Sequence, residues 1–156
     1  MRLKSLILNS SFLLFSILIG IFLCEIFANF IGLGNPLLYN SDALVGYRLK
    51  PNQSKKRRKN SLVTTDMEGF RIDPNNKINK NSKFIIFIGD SVTYGGSYID
   101  DTEIFSSIFC NSLNNESLCL NNGVNSWGTM NMGRFIENFD MYSKRIPLKF
   151  VIVILP

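Results

Sequence analysis

The stretch Phe84-Ile85-Ile86-Phe87-Ile88-Gly89-Asp90-Ser91-Val92-Thr93-Tyr94-Gly95-Gly96 decides the fold. Consecutive large apolar residues stopped by glycine read as a strand buried on both faces, because a strand with one wet face would alternate polar and apolar side chains. The glycine-rich turn that follows places a serine between the end of that strand and the start of a helix.

Working towards the carboxyl end, Ile104, Phe105, Ile108, Phe109 and Leu113 fall on one side of a helix predicted over Glu103 to Leu113. Asp101 or Thr102 can cap it, and Asp100 and Asp101 read as solvated capping residues. A short apolar piece, Leu118 to Leu120, runs into Asn121-Asn122-Gly123. A second helical pattern with Met132, Phe135, Ile136, Phe139 and Tyr142 comes next, and then another buried-strand run at Phe150 to Leu155. Strands alternating with helices imply parallel βαβ units in an open sheet covered on both faces, an α/β class. Ligands bind such sheets at the carboxyl ends of the strands, so the loops Gly89 to Gly96 and Gly123 to Gly128 should share one functional edge. The chain stops at Pro156, where a doubly wound sheet would normally continue with further strands, and the sheet is expected to be unfinished.

Working towards the amino end, residues 32–83 are rich in Asn, Lys, Gly and Pro and lack sustained helical periodicity. They read as an irregular arm with short possible strands at Gly46 to Leu49 and Ser61 to Thr65. Before the arm, Leu6 to Ile31 is long and apolar enough for a membrane span, with only Ser16 polar between Phe12 and Cys24. Arg2 and Lys4 precede it and the next basic residue is Arg48, so the amino terminus should stay cytoplasmic and the rest should be exported. The predicted setting is the inner, cytoplasmic membrane, crossed once. A cleaved signal sequence is the alternative; Ala28 with Ile26 suits processing poorly, and Gly34 with Gly32 better. The boundaries drawn are 1–31 for the anchor, 32–83 for the arm and 84–156 for the catalytic-type domain.

Composition narrows the chemistry. The chain has 156 residues, room for one core, and contains no histidine, so it cannot by itself supply a Ser-His-Asp or Cys-His set. The formal charge of +5 resides in Lys55-Lys56-Arg57-Arg58-Lys59; outside it the remaining 12 basic residues balance the 12 acidic ones. That run reads first as a solvated linker, next as a surface touching anionic lipid or polysaccharide, and last as a nucleic-acid site, so no nucleic-acid partner is expected. Export permits disulfides. Cys110 and Cys119 could pair across a helix and a strand, although two buried free thiols are the plainer expectation. No metal-ligand spacing such as C-x-x-C occurs, and Gly89 to Gly96 is neither a G-x-G-x-x-G nor a P-loop, so no metal or cofactor is expected; a phosphate or flavin site at this edge is a lesser possibility.

Ser91 sits where a nucleophile would be presented, since a serine hydroxyl needs a base to take its proton and N–H donors to hold the oxyanion. Asp90 can cap the helix or fix the turn. Gly89-Asp90-Ser91-Val92-Thr93-Tyr94-Gly95 resembles the first block of the GDSL, or SGNH, hydrolases, and Asn121-Asn122-Gly123-Val124-Asn125-Ser126-Trp127-Gly128-Thr129 resembles the second. Asp42 to Asn52 and Asp66-Met67-Glu68-Gly69-Phe70-Arg71 are similar to the lead-in of membrane-anchored bacterial members. The resemblance covers about residues 38–156 and is fairly specific over the first block and its surroundings.

It implies a flavodoxin-like three-layer α/β/α fold, with Ser91 as nucleophile and Gly89, Asp90 and Gly95 supporting the motif. The oxyanion hole would comprise the Ser91 N–H and a second-block donor at Ser126, where the family usually has glycine, or alternatively at Gly123. The family's later Asn and Asp-x-x-His blocks have no counterpart in these residues. The implied activity is that of a serine ester hydrolase on an ester or acylated glycan or lipid outside the cytoplasm, this chain being an incomplete one inactive alone. Alternatives are a glycan O-acyltransferase and a membrane-tethered non-catalytic remnant or binding protein. Trp127 and Tyr94 could flank the substrate pocket, or simply pack.

Overall fold

The computed structural model describes residues 2–75, 83–113, 117–143 and 148–153. A long helix α1 (Arg2–Phe30) comes first. Two antiparallel ribbons follow, β1 (Tyr39–Asp42) with β2 (Gly46–Leu49) and β3 (Ser54–Lys56) with β4 (Leu62–Thr64). The remainder is β5 (Lys83–Gly89), α2 (Ser91–Tyr94), α3 (Phe105–Ser112), β6 (Ser117–Gly123), α4 (Thr129–Glu137), α5 (Phe139–Tyr142) and β7 (Leu148–Val153).

The apolar run Phe84 to Ile88 lies in the middle strand of a parallel sheet ordered β6-β5-β7. Both faces of β5 are covered, as a continuous apolar strand requires. Ile86 and Ile88 enter one cluster with Leu118, Leu120, Trp127, Met132 and Phe135, while Ile85 and Phe87 point the other way onto Cys110 and Cys119. Thus α4 packs on one face and α3 on the other. The β5–β6 register runs from Lys83 opposite Ser117 to Gly89 opposite Gly123, which sets the two glycine-rich loops level at one edge.

Several expectations are corrected. The third strand was expected at Phe150 to Leu155 but pairs over Leu148–Val153, residues 154–156 lying outside the described ones. Helix α3 is shorter than expected and starts after Ile104, which supplies no side-chain cap. Its buried residues are Ser106, Ser107 and Cys110, whereas Ile108 is 58% exposed and Phe105 and Phe109 are half-exposed. Small residues win because the helix lies close to β6: Cys110 is joined to Cys119 in a disulfide, and Ser106 Oγ accepts from Asn121 Nδ2 at 3.0 Å. The free-thiol expectation for those cysteines is therefore overturned. Cys24 in α1 is a free, exposed cysteine.

The described part of the arm carries more strand than expected. Besides the two expected strands it contains β1 and β3, and the basic run folds into β3 and a single 3-10 turn, Arg58–Asn60. The arm joins the sheet through a two-way backbone bridge between Arg71 and Asn121, at 2.9 and 3.0 Å. Part of the polar stretch before β5, residues 76–82, lies outside the described residues.

One segment among the described residues, Ile7–Phe30 within α1, is long and apolar enough to cross a membrane, with a mean hydropathy of 2.4 and no burial inside the protein. A signal sequence near the amino terminus can be equally apolar over such a window.

Candidate active site

Sequence dictates the turn after β5. Asp90 is the N-cap of α2, its Oδ1 accepting from the Val92 N–H at 2.8 Å, and Gly95 ends the helix with φ of 82°, a left-handed conformation that glycine adopts freely. Ser91 is exposed at the first helical position. It opens onto a cleft of about 470 Å³ shared with Val92, Gly95, Gly96, Tyr98 and Asn125. The first and second glycine-rich loops therefore meet around Ser91.

The glycine at 123 is forced by close approach. A Cβ there would collide with Tyr94 N and lie 2.5 Å from Tyr94 Cα, so α2 rests directly on the end of β6. The Gly123 N–H donates to Asn121 Oδ1 at 2.9 Å. Ser126 has φ of 64°, the left-handed region, so the serine occupies a backbone shape that favours glycine. The cleft is lined by its neighbour Asn125 rather than by Ser126 itself. Asn125 is held from the arm, its carbonyl accepting from Tyr47 Oη at 2.7 Å and its Nδ2 donating to Tyr39 Oη at 3.2 Å. Burial raises the Tyr39 phenol above its ordinary pKa, reinforced by Tyr94, so it stays neutral at physiological pH.

Trp127 packs rather than flanks, whereas Tyr94, although nearly buried, reaches the wall of the cavity adjoining the cleft. Trp127 is 2% exposed and its indole donates to Tyr47 O at 2.9 Å; Tyr94 is 1% exposed. Burial likewise raises the Tyr94 phenol, and neither group is placed to act as a base at physiological pH.

Behind the cleft lies Arg71, the last residue of the Asp66–Arg71 stretch. Arg71 is fully buried, its Nε 2.7 Å from Asp101 Oδ1. Its other nitrogens donate to the carbonyls of Tyr94 at 2.9 Å, Gly96 at 2.8 Å and Ile99 at 2.6 Å. Its guanidinium also lies 4.9 Å from the centre of the Tyr94 ring. One guanidinium therefore gathers the backbone from Tyr94 to Ile99, the rim of the cleft. Asp101 is consequently not a solvated cap but a buried counter-ion; burial pushes its carboxyl up to about 6, against the lowering pull of Arg71. Asp100 does not cap α3 either: it accepts from the Leu62 N–H of β4 and the Thr102 N–H of the preceding loop, at 2.9 and 3.1 Å. Asn121, fully buried, donates from Nδ2 to Thr93 O at 2.7 Å and ties the second block to the first. The signal available for Arg71 was a lone charge between Phe70 and Ile72, the pattern of a buried cation rather than of a surface one.

Chemically, the arrangement offers an exposed hydroxyl at a preorganised turn, with main-chain donors at the first turn of α2 and an amide side chain opposite. Among the described residues no group of three or more metal-ligating side chains comes together. No family model matches the chain, and no characterised protein sequence matches it.

Proposed function

We propose that this chain carries the nucleophile-bearing part of a GDSL- or SGNH-type serine ester hydrolase, tethered to the cytoplasmic membrane by α1 and acting outside the cytoplasm. Ser91 Oγ attacks the carbonyl carbon of an ester and loses its proton to a base; the alcohol leaves with a proton, and an acyl-serine remains. Water then completes hydrolysis, or a sugar hydroxyl takes the acyl group in a transferase. The observation that carries the reading is Ser91 exposed in a cleft directly after the central strand, in a turn packed on Gly123. The order β6-β5-β7, with the first strand of the sheet in the middle, supports a flavodoxin-like arrangement. The Ser91 N–H, with a second-block donor at Ser126, would hold the oxyanion.

No histidine is present in these residues, so the base has to come from elsewhere. That same fact favours the second reading, a membrane-tethered binding protein without turnover. Fluorophosphonate labelling separates the two, applied to the 156-residue chain, to any longer gene product containing it, and to their Ser91→Ala variants. Labelling at Ser91 confined to the longer product is expected. Equal labelling of Ser91→Ala would remove Ser91 as nucleophile, and silence from every form would leave the binding reading.

A further inference from the structure

The Ser91 cleft does not end at Tyr98. A second cavity of about 370 Å³ shares Gly96, Tyr98 and Asn125 with it and continues to Arg57 and Arg58. Among the described residues the one ion pair is that of Arg71 and Asp101, so neither arginine has a carboxylate partner. Arg57 is half-buried; Nη1 donates to Asn35 O at 2.7 Å, while Nε is shielded from solvent with no hydrogen-bond partner in the protein. A half-buried guanidinium held by one neutral carbonyl has unspent donor capacity, and its fork suits a phosphate oxyanion.

The same two arginines sit at the exit of α1. Gly32 packs so closely on this turn that a Cβ would lie 2.6 Å from Arg58 N and 2.7 Å from Arg57 O. Phe30 and Ile31 share a further hollow of about 420 Å³ with Arg57, Arg58 and Lys59. If α1 lies in a membrane, the cationic end of the cleft faces the headgroup layer, where anionic lipids attract basic residues.

We propose that Arg57 and Arg58 form a phosphate-binding subsite at the far end of the Ser91 cleft. The inference rests on the hydrolase reading only for the role of the bound group: a phosphate held there would orient a substrate whose ester reaches Ser91. Phosphate binding itself needs no turnover. A phospholipid headgroup and a soluble phosphorylated molecule offer the same chemistry to the two guanidinium groups.

The test uses the full chain in a non-ionic, phosphate-free detergent, titrated with inorganic phosphate while the Arg57 Nε–Hε resonance is followed by NMR. Saturable movement of that resonance is expected in wild type and in Ser91→Ala, with affinity weakened at least about tenfold in the double variant Arg57→Gln and Arg58→Gln. Arg57→Lys with Arg58→Lys, which keeps the charge, should retain part of the affinity. An immobile resonance in wild type, or undiminished affinity in a folded Gln variant, overturns the proposal. Repeating the titration in phosphatidylcholine nanodiscs with and without phosphatidylglycerol identifies the source. Competition by the anionic lipid assigns a headgroup, and unchanged phosphate binding assigns a soluble ligand. Because binding is read in Ser91→Ala, failure of the serine assignment and failure of the phosphate subsite are separable.

Discussion

The parallel sheet and the two antiparallel ribbons are held together by opposite means. Strand β5 is fixed by apolar area: Ile86 and Ile88 are fully buried on one face, and Ile85 and Phe87 nearly so on the other. The ribbons have few such residues and are organised by buried polar side chains that hydrogen-bond main chain. Gln53 bonds both the N–H and the carbonyl of Leu38, at 2.7 and 3.0 Å, and donates to Lys50 O at 2.8 Å. Asp66 accepts from the N–H groups of Glu68 and Phe70, and Arg71 gathers three carbonyls. A polar segment is thus ordered once its side chains take over the backbone's hydrogen-bonding obligations, since a buried polar group left unpaired costs more than a paired one gains. The cleft lies where the two regimes meet: the sheet positions Ser91, and the polar network shapes the rim.

The comparison breaks most visibly at Arg71. Arg71→Ala leaves Asp101 buried without its partner and strips the Tyr94, Gly96 and Ile99 carbonyls of a donor, so a loss of about 3–5 kcal/mol is expected in urea unfolding. Ile86→Val, a one-methylene cut in the sheet, should cost about 0.5–1.5 kcal/mol. If the valine variant proves the more damaging of the two, the polar network is ornament and apolar packing alone orders the arm.

A smaller effect sharpens the same contrast through pH. Asp101 is held up at about 6 against an ordinary value of 3.8, because burial outweighs the pull of Arg71. The folded state therefore binds a proton that the unfolded state releases. The stability contributed by this group is fully present below about 4 and is lost as pH rises through 6. When Asp101 protonates, the guanidinium keeps its three carbonyl acceptors. A carbon-13 titration of the Asp101 carboxyl should give a midpoint near 6. Comparison of wild type with Asp101→Asn should show wild type gaining on the variant by about 2 kcal/mol from pH 7 to pH 4. A midpoint below 3.8 would show the ion pair dominating burial. Asp100 has the opposite sign: hydrogen bonds from the Leu62 and Thr102 N–H groups lower it, so its contribution is present above the ordinary value and fades as acid is added.

Legibility in sequence followed the same division. The run at 84–88 announced a doubly buried strand because apolar side chains carry their burial in their identity, and the serine after it lines the cleft at the end of that strand. Asn121 announced nothing comparable, and Arg71 only a lone charge between Phe70 and Ile72; for both, the partners from distant segments decide the burial. The α3 stripe misled for a related reason. Periodicity identified a helix but not the face pressed on the sheet, which the Cys110–Cys119 link and the Ser106–Asn121 contact determine. Tyr39 and Tyr47, which brace Asn125 from the arm, were likewise invisible, because the contacts join residues 86 and 78 positions apart.

The smallest expected effect lies at the junction of the two regions. Ser126 is held at φ of 64° between Asn125, braced by the arm, and Trp127, buried under the sheet. A side chain in that conformation crowds the following carbonyl, a cost of roughly 1–2 kcal/mol that glycine avoids, offset in part by the greater chain entropy glycine loses on folding. Ser126→Gly should therefore raise unfolding stability by up to about 1 kcal/mol, without altering Ser91 labelling in a longer product that reacts. A loss of stability instead would mean that the arm does not impose this backbone shape and that the loop relaxes once the serine is gone. The backbone at 126 would then be shaped by the serine side chain itself and not by the contacts that Tyr39 and Tyr47 make with Asn125.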